Sequence, residues 1–84
     1  MTTPDWLTQH DGSLRRGLKE TVRLVMLGSE PQYRLTALPA AGEKHTCAVT
    51  QTVNGRRLDK GEVYGSVDEA LQGGLETLRQ ALGW

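Results

Sequence analysis

The chain has no phenylalanine, no isoleucine and a single cysteine, and neither sign of charge is in excess: 10 Lys and Arg balance 10 Asp and Glu over 84 residues. Each absence excludes something. The lone Cys47 rules out an intramolecular disulfide framework and suits a reducing compartment. Zero net charge, with a pI near 6.7, gives no global attraction to nucleic acid or to an anionic membrane. The opening Met-Thr-Thr-Pro-Asp-Trp lacks the basic and apolar regions of a signal peptide, and no apolar run is long enough to cross a bilayer. A cytoplasmic setting and no membrane partner are therefore expected.

Without Phe and Ile, the core falls to 12 leucines and 6 valines. A domain of this size buries only about 60 % of the surface of its unfolded chain, so that core is small. A second copy of the chain could supply the missing apolar contact. A homodimer is therefore one expected arrangement, with Trp6 and Trp84 as the candidate self-association residues.

What the sequence does have is one clear helix. Val67, Leu71, Leu75, Leu78 and Leu82 fall four, four, three and four apart, which at helical pitch makes one stripe, widened by Ala70 and Ala81. Ser66 and Glu69 have the spacing of a capping box, with Glu69 reaching back to the Ser66 amide, and Gly83 ends the run. Gly73-Gly74 inside it costs of order 1 kcal/mol per residue relative to Ala. Close packing of the helix against its neighbour is the reading preferred to a hinge.

The remainder reads as sheet. Residues 1–13 are polar and form an arm, except that Pro4 can start one helical turn and lay Trp6 and Leu7 on a single domain spanning residues 14–84. Residues 14–27 fit both periods. A strand over residues 19–27 is preferred because Gly17 weakens a helix there, with Leu18, Val22, Leu24 and Met26 inward and Lys19, Thr21 and Arg23 outward. A helix in that segment would give α-β-β-β-α instead. Residues 32–38 alternate with Tyr33, Leu35 and Ala37 inward, and residues 45–53 with Cys47, Val49 and Val53 inward. Asn54-Gly55 predicts a type I′ hairpin, and the returning strand is interrupted at Gly61. The expected fold is thus α+β: an antiparallel meander of three to four strands with the C-terminal helix across one face, leaving the other face bare.

Motifs for chemistry are sparse. His45 and Cys47 share a strand face, but a structural zinc site needs four ligands and only His10 remains. No Gly-x-Ser-x-Gly, His-Glu-x-x-His or Walker spacing is present, so no enzyme, cofactor or metal is expected. The acidic pairs Asp59 with Glu62 and Asp68 with Glu69 read as a loop and a helix start. Charge is distributed unevenly, nine bases against five acids between residues 15 and 65. Lys19, Arg23, Arg34, Arg56 and Arg57 are the candidate nucleic-acid residues on the outer face and its rim. Four strands followed by one helix also resembles, in order of elements, the single-strand-binding transcriptional coactivators, and that resemblance implies the same open-face use. If residues 14–27 are helical, the double-stranded-RNA-binding domain is the comparison, although acidic Asp68-Glu69 stands where its basic helix entry would be. The reading from sequence is a small non-catalytic interaction module, self-associating, with a single-strand nucleic-acid binder as the alternative.

Overall fold

The computed structural model describes residues 2–84. Their elements run α1 (Asp5–Thr8), β1 (Gly12–Arg16), β2 (Val22–Leu27), β3 (Glu30–Ala40), β4 (Lys44–Gln51), β5 (Val63–Tyr64) and α2 (Val67–Leu82), with a 3-10 turn at Ala41–Glu43. The strands form a single antiparallel meander in the order β1-β2-β3-β4-β5. The α+β architecture with the C-terminal helix packed on the sheet is as the sequence predicts.

The predicted caps of α2 form. The Ser66 hydroxyl accepts from the Glu69 amide at 3.1 Å, and the Glu69 carboxylate accepts from the Gly65 amide at 3.3 Å, one residue earlier than the Ser66 amide expected. At the other end Gly83 is left-handed at φ 74°, and the Trp84 and Gly83 amides donate to Arg79 and Gln80, a Schellman ending. The stripe then meets the sheet. Leu71 and Leu78 from α2, Val25, Leu35 and Val49 from the strands and Leu7 from α1 have no exposed surface. Each such side chain contributes roughly 1.5–3 kcal/mol on burial.

Gly73 and Gly74 set how closely the helix approaches. A Cβ on Gly73 would overlap the Tyr64 ring, and one on Gly74 would overlap the Cys47 thiol and come within 3.0 Å of the Cys47 Cβ. The packing reading of this pair therefore holds.

Three expectations change. Residues 14–27 form neither one helix nor one long strand but the two arms of a hairpin, β1 and β2, closed where the Gly17 amide donates to the Val22 carbonyl at 3.0 Å. The α-β-β-β-α alternative is excluded by that hairpin. Its first strand begins at Gly12, and the helical turn expected after Pro4 exists as α1, so the stretch expected to be an arm carries two elements. Lastly, Asn54-Gly55 does not make a type I′ turn. Of its two residues only Gly55 is left-handed, at φ 71°, within a four-residue connection in which the Asn54 side chain accepts from the Arg56 amide at 2.9 Å. Four-residue hairpin loops are commonly built this way.

The free edge of β1 is partly occupied. The Leu14 amide donates to the Thr3 hydroxyl at 3.1 Å, which removes one of the outward donors that an edge strand offers to another chain.

Candidate functional site on the open sheet face

Directly opposed residues in a sheet share a face, so the register assigns each side chain to one side or the other. Val25, Leu35, Ala37, Cys47 and Val49 lie beneath α2. Their neighbours along each strand point the other way. On β3 and β4 this is the predicted alternation, with Arg34, Thr36, Thr46 and Thr50 outward, except that β4 ends at Gln51, so that Val53, expected inward on the strand, is exposed in the turn.

On β2 the faces are inverted relative to the sequence reading. Val22, Leu24 and Met26 point to the open face, while Arg23 shares the helix side with Val25. The cause is register. A tight turn at Gly28-Ser29, with Gly28 at φ 64°, pairs Leu27 with Glu30, and a bulge then pairs Met26 with Pro31 but Val25 with Tyr33. A shift of one residue flips every side chain of a strand. Three apolar side chains expected in the core thus line the uncovered side. Met26 is nevertheless 5 % exposed and Ala48 6 %, sheltered without belonging to the core cluster.

One row crosses the whole open face: Arg15, Leu24, Arg34, Thr50 and Arg57, paired in that order from β1 to the segment beyond β4. Arg15 and Arg34 flank Leu24 on either side, and neither makes an ion pair among the described residues. Arg57 is engaged within the chain. It donates through Nε to Asp59 Oδ1 at 2.6 Å and through a second nitrogen to Oδ2 at 2.8 Å. That bond holds the Asp59 carboxyl down to about 2, well below its usual range, and the same Asp59 accepts from the Val49 amide at 3.0 Å. No acidic residue occupies a strand position on this face. Beside the row, Gly17, Leu18, Lys19, Val22, Leu24 and Arg34 line an open trough of about 520 Å³, and Leu18 at its end is wholly exposed.

The residues picked out from sequence are therefore divided. Arg34 and Arg57 lie in the row, and Lys19 lies on the rim of the trough. Arg56 is in the loop after the β4 turn. Arg23 is on the opposite face, where it donates to the carbonyls of Glu20 at 2.7 Å and Val22 at 2.9 Å. Arg15 was missed; reading Gly17 as the start of a hairpin turn would have made residues 12–16 a strand and found it. Trp6 and Trp84 pack on one another inside the chain, with ring centroids 6.3 Å apart, and His10 stacks on Trp84 at 3.8 Å. Together they tie α1 to the end of α2.

The chemistry-bearing residues do not converge elsewhere. Cys47 faces the core under Gly74, and burial pushes its thiol up to about 11, so it stays protonated and unreactive near neutral pH. Glu62 accepts from the Tyr64 hydroxyl at 3.1 Å, and Glu69 serves the helix cap. Among the described residues no group of three or more His, Cys, Asp or Glu side chains is placed to hold a metal ion, and no helix is long and apolar enough to cross a membrane. No family model, curated protein or solved structure matches the chain, and the site is read from its own geometry.

Proposed function

We propose that the chain is a non-catalytic interaction module that holds an acidic protein segment on its open sheet face. The observation that supports this is the row in which two unpaired arginines flank an outward leucine, on a face whose strand positions carry no acid. Apolar contact supplies the affinity, and the arginines supply orientation and partner choice.

Two other occupants fit less well. Non-specific single-strand binders stack bases on aromatic rings, worth about 1–3 kcal/mol per base. This face offers none, because Tyr33 is opposed to Val25 and Tyr64 lies against Gly73. Two copies laid face to face would set arginine against arginine, and like charges across an interface are disfavoured.

The test is a titration of isotope-labelled protein with a Glu/Leu peptide and, separately, with a single-stranded oligonucleotide of equal charge, followed by amide shifts. The peptide is expected to move the Val22, Leu24, Arg34 and Thr36 signals more strongly. A response to the oligonucleotide alone would favour the nucleic-acid reading. Protection of the same amides by concentration-dependent dimerisation would favour self-association.

A further inference from the structure

The acidic segment proposed above can meet the face as a helix or as an extended chain, and the two demand different surfaces. An extended segment lying on a sheet face gets no ladder bonds, because the backbone groups of the strands below are already paired with each other. Its own N–H and C=O groups would cover apolar surface without partners. A whole second sheet solves that problem but needs a broad apolar face across several strands. Here the strip formed by Val22 and Leu24 on β2 is one strand wide, parted by Thr36 and Thr46 from the other exposed apolar residues of this face, Leu38 on β3 and Val63 on β5, while Met26 is buried.

A helix satisfies its own backbone and presents an apolar stripe of that width with polar flanks. The dimensions agree. From Val22 to Leu24 the strip is about 7 Å long at strand rise, a little over one helical turn, and the exposed Leu18 extends it at the trough's end. Arg15 and Arg34 stand one strand to either side of Leu24, roughly 10 Å apart, close to the diameter of a helix with its side chains. Carboxylates on both flanks of such a helix would each have a guanidinium to meet, and Lys19 extends the basic rim at the trough's end.

From this we infer that the partner segment is an acidic amphipathic helix, seated along β2 with its apolar stripe on Leu18, Val22 and Leu24 and carboxylates on both flanks against Arg15 and Arg34. The inference rests on the reading of the open face as a site for an acidic protein segment. With α2 on the far side, the bound state is a sheet held between two helices.

Two peptides of equal composition separate the outcomes. In one of about 20 residues, long enough to be helical in isolation, Leu recurs at helical spacing with Glu on both flanks; in the other Leu and Glu strictly alternate. Binding of each to the full chain is measured by amide shifts, and the peptide's helicity by circular dichroism. The helical peptide is expected to bind at least tenfold more tightly, to gain helicity and to shift Leu18, Val22 and Leu24. Equal or tighter binding by the alternating peptide at the same amides overturns the helix while leaving the acidic-segment reading intact. Absence of shifts on β2 with both peptides overturns both.

Discussion

At the scale of single residues, Asp59 links the open face to the fold. Its carboxylate accepts from Arg57 on that face and from the Val49 amide beside the core, and its side chain is only 11 % exposed. Because the folded-state pKa lies at about 2, below the ordinary value of 3.8, the carboxylate adds stability at neutral pH that fades as pH falls between those values. Allowing for solvent screening at Arg57, whose side chain is 58 % exposed, the contribution is on the order of 1 kcal/mol. Asp59→Asn is expected to lower stability by about that much at pH 7 and by little near pH 2, measured by denaturant unfolding at both pH values. An equal loss at both would show that the Val49 contact, and not the charge, is what matters.

At the scale of elements, the approach of α2 to the sheet is set by what Gly73 and Gly74 lack. Gly74→Ala gains about 1 kcal/mol of helix propensity but forces a methyl against Cys47, and overpacking of this kind costs typically about 1–3 kcal/mol. A net loss of stability is expected, and Cys47→Ala in the same chain should recover part of it, so that thermal midpoints of the double and single variants are not additive. Additivity would mean that the helix simply moves outward. These glycines were legible in the sequence as a packing feature, as were the capping box, the glycine stop and the alternation of β3 and β4. The face of β2 was not. Val22, Leu24 and Met26 outnumber Val25 as apolar residues, and counting them favours the wrong side. What decides is the bulge at Gln32, a register effect between two strands that no single strand's pattern carries. Arg15 was lost for a related reason, since a hairpin whose turn has one glycine and an exposed Leu18 looks locally like one continuous ambiguous segment.

At the scale of the whole molecule, one helix covers one face of a five-stranded sheet, and the N-terminal segment secures both the α1 to α2 seam and the β1 edge. The surface left over is the open face, with outward apolar side chains on β2 between unpaired arginines on β1 and β3. The central claim is that this arrangement serves a partner and contributes little to the fold. Arg15→Glu/Arg34→Glu tests it directly, by unfolding in denaturant alongside titration with the helical Glu/Leu peptide. The variant is expected to keep its folding free energy within about 0.5 kcal/mol, as exposed substitutions do, and to lose at least tenfold in peptide affinity, about 1.4 kcal/mol. Unchanged affinity, or a stability loss large enough to account for the weaker binding, would contradict the claim.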